Sequence, residues 1–559
     1  MSRIPELARG REAFARQKWR EAYRLLSAAN QEMPLEPADL ERFAASAYLV
    51  GEDARAIAIW TSAHHALIDQ GRVKRAARWG FWLSLHMLSS GEKAQATGWL
   101  ARSQRIIKDC RETCVEQGYG LVVTGLIAMF QGNTETAGAD FTQAVTIAER
   151  FGDPDLLALG LLGRGQNLIR SHNTVEGVAQ LDEAMLGVTT GEVSPVLAGI
   201  VYCAVILTCQ SIFDLHRARE WTRQLDSWCA SQPDLVPYRG QCLVHRSELL
   251  QMQGDWSRAL TEVKKARAHL SGRSEAVVGR ACYQQGELHR LRGEFDQADE
   301  MYREAARIGY EPQPGLSLLR LAQGRHETAA ALIRGIVESS GNGSAPGGGA
   351  SRPRLLGPYI EILIADGDLV TARTMADELT QFAIKIDAPF LYAASTHATG
   401  ALLLAEGKLK AALALLREAW AIWRELEMPY EASRTRVLIG QASQRLGDDE
   451  SARMHFDAAH SIFRELGAVF DLSMLEGLTT TAAPGITALT PRQRQVLQLI
   501  AEGMTNPDIA RHFGLSERTV DRHVSDILTR LDVPTRAAAT AYALAHGLID
   551  PPQTGCFHP

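Results

Sequence analysis

Gly407-Lys-Leu-Lys-Ala-Ala-Leu-Ala-Leu-Leu-Arg-Glu-Ala419 carries the register on which most of the chain is built. Gly407 sits in a turn, Ala412 follows five positions later, bulky Leu416 four after that, and small Ala419 three further on. The same series reads Gly51, Ala56, Trp60, Ala63; Gly91, Ala96, Leu100, Ser103; and Gly132, Ala137, Phe141, Ala144. It returns as Gly254, Ala259, Val263, Ala266; Gly293, Ala298, Tyr302, Ala305; and Gly324, Ala329, Ile333, Ile336. Gly367, Ala372, Ala376, Leu379 and Gly447, Ala452, Phe456, Ala459 complete the set. Two copies lack the glycine, one around His172 with Leu181 and Ala184, the other around Phe213 with Ala218 and Leu225. Successive turns recur about every 40 residues, with one shorter interval between Gly293 and Gly324, and so regular a register is a repeat.

Each unit reads as a helix, a turn and a second helix. Alanine lets the two helices approach closely, and the bulky residue fills the groove between hairpins. The pattern resembles tetratricopeptide repeats, with a period nearer 40 than 34. An opening unit with Gly10, Ala22, Leu26, Ala29 and Pro34 keeps the shorter spacing. About twelve hairpins are expected over residues 5–476, stacked as a quasi-one-dimensional superhelix with a concave surface. Ser339 to Pro353 is rich in Gly, Ser and Pro and reads as a flexible loop separating sub-arrays 1–338 and 354–476. It is not a phosphate-binding loop, because no Gly-Lys-Ser/Thr follows it and no strand precedes it. Thr479 to Thr487 lies in a second break, so the array is assigned residues 1–476 and a linker residues 477–488.

Residues 489–550 read as four helices. Thr490 caps the first, with Pro491 at its first position, and Asn506 caps the second, with Pro507 following and Gly514 ending it. Ser516 caps the third, its hydroxyl placed to accept from the Thr519 N–H, with Glu517 in the first turn. Thr535 caps the fourth, Arg536 to His546, which ends at Gly547. On the third helix Val520, Val524, Ile527, Leu528 and Leu531 share one side, and Arg518, Arg522, Ser525 and Thr529 the opposite one. Ala510 suits the close crossing of the second and third helices, and Leu515 and Val520 can close a small core. Two helices joined by a turn containing Gly make a helix-turn-helix.

The stretch Leu489-Thr-Pro-Arg-Gln-Arg-Gln-Val-Leu497, with Ala501-Glu-Gly503, Ile509-Ala510, Leu515-Ser-Glu-Arg-Thr-Val520, His523-Val524, Ile527-Leu528, Leu531-Asp-Val533 and Arg536, resembles the LuxR-type C-terminal domain almost end to end. The resemblance implies a third helix that enters the DNA major groove and a fourth that often mediates dimerisation. It also implies basic residues at the positions of Asp521 and Ser525, where this chain departs from the family.

The expected DNA-facing set is Thr505, Asn506, Ser516, Arg518, Thr519, Asp521, Arg522, Ser525 and Arg530. Arg522 could make a bidentate contact to guanine or pair with Asp526 at i, i+4. Asp521 could accept from cytosine or orient Arg518, and His523 reads as a packing or phosphate-side residue.

The fold class expected is therefore all-α, a tetratricopeptide-like hairpin superhelix followed by a four-helix LuxR-type domain, with residues 551–559 a disordered tail. At 559 residues the chain exceeds one compact core, and 46% hydrophobic with 22% charged residues is globular composition. Val196 to Cys209 is the longest apolar run and falls short of the roughly 20 apolar residues that a membrane-spanning helix needs. The N-terminus has no apolar signal segment, so a cytoplasmic location is expected. Eight cysteines form neither a CxxC pair nor a zinc pattern; Cys110 and Cys114 at i, i+4 could be a redox pair or ordinary buried thiols. No cofactor or metal is expected.

The net charge is −6, and residues 489–550 hold seven Arg, no Lys and seven Asp plus Glu. Non-specific DNA affinity is largely electrostatic, so a lone domain should bind weakly and a homodimer on double-stranded DNA is expected. Hydrolase, nucleotide-binding and metalloprotease motifs are absent, and no strand–helix alternation suggests a phosphoacceptor domain, so an enzyme is not expected. Glu248, Glu287 and Asp299 read as solvated faces or turn pairs.

Input must then come from a protein or small molecule bound to the array. Tyr238, Arg239, His245, Arg246, Tyr283, Gln284 and His289, on predicted concave-side helices, are the candidate surface; the alternative is that they make ordinary contacts between repeats. Two functions follow: a DNA-binding regulator controlled by its array, or a scaffold or anti-activator whose C-terminal domain mainly dimerises.

Overall fold

The computed structural model describes residues 5–108, 113–232, 234–270, 275–340, 351–480, 491–531 and 533–545. The hairpins begin with α1 (Pro5–Ala15) and α2 (Trp19–Glu32), α3 (Pro37–Leu49) and α4 (Asp53–Asp69), α5 (Val73–Ser89) and α6 (Lys93–Lys108). Next come α7 (Val115–Phe130) and α8 (Thr134–Phe151), α9 (Pro154–Arg170) and α10 (Thr174–Thr189), α11 (Pro195–Ser211) and α12 (Leu215–Ser231). They continue as α13 (Pro237–Met252) and α14 (Trp256–Leu270), α15 (Glu275–Leu291) and α16 (Phe295–Arg307), α17 (Gly315–Ala322) and α18 (His326–Ser340). Helices α19 (Arg352–Asp366) and α20 (Leu369–Ile386), α21 (Pro389–Ala405) and α22 (Leu409–Glu425), α23 (Pro429–Arg445) and α24 (Asp449–Leu466) close the array. After α25 (Val469–Thr480) come α26 (Pro491–Ala501), α27 (Asn506–Phe513), α28 (Glu517–Arg530) and α29 (Arg536–Ala545). Among the described residues no helix is long and apolar enough to cross a membrane. The chain falls into two compact units, residues 1–470 and 471–559.

The repeat register has a direct conformational basis. Every turn inferred from spacing takes a left-handed backbone, from Gly51 (φ 89°) to Gly447 (φ 83°), including the non-glycine turns His172 (φ 66°) and Phe213 (φ 62°). Gln17 (φ 57°) turns the opening hairpin and lies closer to Gly51 than most of the later turns lie to one another, the Gly293–Gly324 interval being shorter still. Gly10 lies inside α1 and makes room for the knob that follows: a Cβ there would come within 2.9 Å of Leu26. The same arrangement recurs where Gly125 faces Phe141, Gly165 faces Leu181, Gly286 faces Tyr302, Gly400 faces Leu416 and Gly440 faces Phe456.

In each of these hairpins a glycine two helical turns ahead of the left-handed residue admits the bulky side chain that follows it. Gly440→Ala would put a Cβ 2.5 Å from the buried Phe456 ring. Overpacking of about 1–3 kcal/mol should outweigh a helix-propensity gain of about 1 kcal/mol. Gly98→Ala, with nothing within 4 Å of the new methyl, should keep that gain. Denaturant midpoints that move in opposite directions for the two variants are the expected result.

The array is not quasi-one-dimensional, because it curls until successive coils touch. Trp19 Nε1 donates to Gln232 Oε1 at 2.9 Å, far along the chain, and Val236 N–H donates to Leu49 O at 2.9 Å. Further on, Phe213 stacks on Phe390 with centroids 5.3 Å apart, and Arg219 Nη2 donates to Leu426 O at 2.8 Å. Trp256 meets Tyr430 at 5.2 Å and Phe295 meets Phe470 at 5.4 Å. The two degenerate turns belong to this seam: Phe213 buries its ring there, and His172 Nε2 lies 3.2 Å from Lys385 Nζ. Side chains at these turns make contacts that glycine cannot, which offsets the left-handed strain.

Residues 339–353 do not separate two sub-arrays. Ser339 and Ser340 belong to α18, Arg352 and Pro353 to α19, and residues 341–350 lie outside the described set. Ala329, Ile333 and Val337 of α18 share one core with Leu355, Leu356 and Ile360 of α19, so packing is continuous across the loop. The expected linker start is also displaced, since residues 477–480 continue α25; residues 481–490 and the tail 551–559 lie outside the described residues. Of the cysteine pair, Cys110 lies outside them too, while Cys114 is a buried thiol at the N-cap of α7.

Candidate nucleic-acid interface and array interior

The second unit is built around α28. Val520, Ile527 and Leu531 are buried with Val496, Leu497 and Ile500 of α26, Ile509 and Ala510 of α27, and Ala539 and Ala543 of α29. Leu515, Val524 and Leu528 pack at the margin, so the apolar side inferred from periodicity is the core side. Ser516 caps α28, accepting from the Thr519 N–H at 3.2 Å, and Thr535 accepts from the Ala538 N–H at 3.1 Å. Thr490 falls outside the described residues.

One cap differs from expectation. Thr505, not Asn506, caps α27, and the Asp508 carboxylate accepts from the Thr505 hydroxyl at 2.5 Å and its N–H at 3.3 Å. Three residues on from a capping threonine, an acid completes a reciprocal box, and that spacing was the overlooked signal.

In the first unit, side chains from α13, α15, α19, α21 and α23 converge on one interior. Arg280 grips Glu248 with two hydrogen bonds, Nε to Oε1 at 2.7 Å and Nη2 to Oε2 at 2.9 Å, while Gln210 Nε2 donates to Oε2 at 2.8 Å. Burial alone would raise the Glu248 carboxyl; Arg280 and His245 overcome it and hold the group well below the usual carboxylate range. Arg290 pairs with Glu287 at 2.9 Å, and the Tyr302 hydroxyl also donates to Glu287. Arg434 pairs with Glu361 at 2.5 Å, and burial followed by the Arg434 charge pushes neighbouring His397 down to about 4. Glu248 and Glu287 are thus interior ion-pair partners rather than solvated faces, and Asp299 pairs across helices with Arg320 at 2.5 Å.

The seven candidate surface residues are not brought together. Tyr238 is buried and donates to Val196 O at 2.5 Å, and Arg246 pairs with Asp226 at 3.1 Å. Gln284 donates to Gln251 Oε1 at 2.8 Å, His289 is bound to Glu294 at 2.5 Å, and the Arg239 side chain lies outside the described residues. These are contacts within and between hairpins. His245 and Tyr283 do reach the interior: His245 Nδ1 lies 3.6 Å from Glu248, and Tyr283 packs between Tyr302 and Tyr310 at 5.8 and 5.6 Å. Sequence spacing finds the helices but misses Arg280, Glu248, Arg354 and Arg434, because periodicity identifies a polar face without showing that it turns inward.

Residues 487–543 match the luxR family of bacterial regulatory proteins. The C-terminal domain belongs to the luxR family. Residues 279–308, the α15–α16 hairpin, match the tetratricopeptide repeat. Relatives include the response regulator VraR of Staphylococcus aureus, 44% identical over 61 residues, covering 11% of this chain and 29% of VraR. The transcriptional regulatory protein MctR of Rhizobium johnstonii is 36% identical over 81 residues, covering 14% and 36%. Response regulator Rre1 of Synechocystis is 26% identical over 126 residues, covering 22% and 54%. The chain thus spans from under a third to about half the length of these relatives. A solved Rap protein complexed with competence and sporulation factor overlaps 70% of this chain and 99% of its own at 14% identity, with TM-score 0.39, too loose a likeness to carry function.

The exposed side of the LuxR-type domain's α28 carries Arg518, Asp521, Arg522 and Ser525. Among the described residues neither Arg518 nor Arg522 has an ion-pair partner, so the Arg522–Asp526 pairing is not formed. Thr519 Oγ1 lies 2.7 Å from Ser516 Oγ, and the Arg530 side chain is outside the described residues. Asp521 is not free to orient Arg518: it accepts from Asn506 Nδ2 at 2.6 Å, and Asn506 Oδ1 accepts from Arg536 Nη1 at 2.5 Å. Arg536 also donates to Met504 O. Asn506 and Asp521 therefore fasten α27 and α29 to the outer side of α28.

Proposed function

We propose that the chain is a transcription regulator whose LuxR-type domain binds a specific double-stranded DNA as a homodimer, under control of a protein or small-molecule signal taken by the array. The observation that carries this reading is the pair of exposed guanidiniums on α28, Arg518 and Arg522, which have no ion-pair partner among the described residues, with a buried opposite face. Unpaired guanidiniums on a rigid helix suit bidentate contact with base edges. The test is selection from random-sequence DNA with the full chain; no enriched sequence even at low salt would sink it. Seven acids against seven arginines in the domain favour a second reading, a scaffold that dimerises, which that negative result would support.

The acid at position 521 makes a separate prediction. Asp521→Lys removes one negative charge and adds a positive one beside Arg522, and it releases Asn506. Affinity should rise for all sequences alike, and the slope of log affinity against log salt should steepen by about 1 per added phosphate contact. An unchanged salt slope would show that position 521 faces away from the backbone.

A further inference from the structure

Inside the array, two guanidiniums lie near one carboxylate, and only one of them pairs with it. Arg280 and Gln210 together engage both oxygens of Glu248. The second guanidinium, Arg354, has no such partner: it donates to Gln210 O at 2.5 Å and lies over the Phe213 ring at 4.8 Å. Among the described residues no carboxylate forms an ion pair with it, and its side chain is half-buried, neither fully hydrated nor sealed off. Burial, with Arg280 nearby, disfavours its charge, opposed by Glu248 and by the hydroxyls of Tyr283 and Tyr310. His245 Nδ1, buried 3.6 Å from the same carboxylate, makes no hydrogen bond.

We propose that this corner of the interior binds a small molecule with an anionic head group, a carboxylate or a phosphate ester, with Arg354 as its charge partner. The inference rests on reading the array as the part that takes the signal, and it names the chemistry of that signal. A partly desolvated cation without a counter-charge is costly, and a matching anion relieves the cost. The planar fork of Arg354 has donors to spare for two oxygens of one acid. Tyr283 and Tyr310, packed against each other with centroids 5.6 Å apart, bring two hydroxyls to the same corner.

Full-length protein is titrated with benzoate and with phenyl phosphate, and with benzamidine as a cation of similar size, followed by ligand-observed NMR. At least one anion should bind and benzamidine should not; which anion binds separates a carboxylate head from a phosphate one. Arg354→Gln should weaken binding at least about tenfold, and Arg354→Lys, which keeps the charge but not the fork, should fall between that variant and the wild type. Should the Gln variant fail to fold, phenylglyoxal labelling of the wild type gives the answer, since bound anion should shield the Arg354 peptide. The proposal is overturned when no anion binds, when Arg354→Gln binds as well as the wild type, when benzamidine is preferred, or when labelling is unaffected by anion. DNA affinity is measured with the same samples. Anion held at Arg354 with DNA affinity unchanged would keep the site and reject the array as sensor.

Discussion

Arg280→Met is expected to lower the stability of the array by about 3–5 kcal/mol at pH 7, because it leaves a buried carboxylate without its cation. Glu248 is the group exposed to that loss: its side chain is 14% exposed and Arg280 supplies two of its hydrogen bonds. The pH dependence fixes the cause. In the wild type the Glu248 carboxyl is held below its unfolded value, so its contribution is present above about pH 4.5 and falls away as acid protonates the folded form. In the variant the carboxyl instead rises, so the penalty is largest at neutral pH and shrinks toward about pH 4. Urea denaturation followed by far-UV circular dichroism at both pH values measures it. Adding Glu248→Gln to Arg280→Met should recover part of the loss; a deficit independent of pH and of Glu248 would point to lost packing.

Arg522→Ala is expected to cost about 1–3 kcal/mol at one base position and little elsewhere in the site. The guanidinium is exposed on α28 without an ion-pair partner among the described residues, and Ser516 and Val520 fix the helix below it. Competition binding against every single-base variant of the selected sequence gives the result. A uniform loss across all variants would make Arg522 a phosphate contact, and no loss would move base reading to Arg518 and Ser525.

Much of this architecture is written in local spacing. The glycine turns, with the alanine and bulky positions after them, recur at a nearly constant interval, and that interval located the turns at His172 and Phe213 although neither is glycine. The core side of α28 followed from its helical period. What spacing could not give was anything joining distant residues. The bond from Trp19 to Gln232 and the stack of Phe213 on Phe390 have no periodic signature. For the same reason Glu248 and Glu287 read as solvated: a helix pattern assigns a face, and coil closure decides whether it meets water. Thr505 and Asn506 are both good capping residues, and the Asp508 carboxylate decides between them.

The seam between coils changes what kind of object the array is. A stack whose hairpins touch only their sequence neighbours behaves as a spring, lengthening by small adjustments at every joint. Here Trp19, Phe213, Arg219, Trp256 and Phe295 are fastened one coil further on, to Gln232, Phe390, Leu426, Tyr430 and Phe470. Such fastenings tie hairpins distant in sequence into one body. Displacement at one rung must be shared by rungs several hairpins away along the chain.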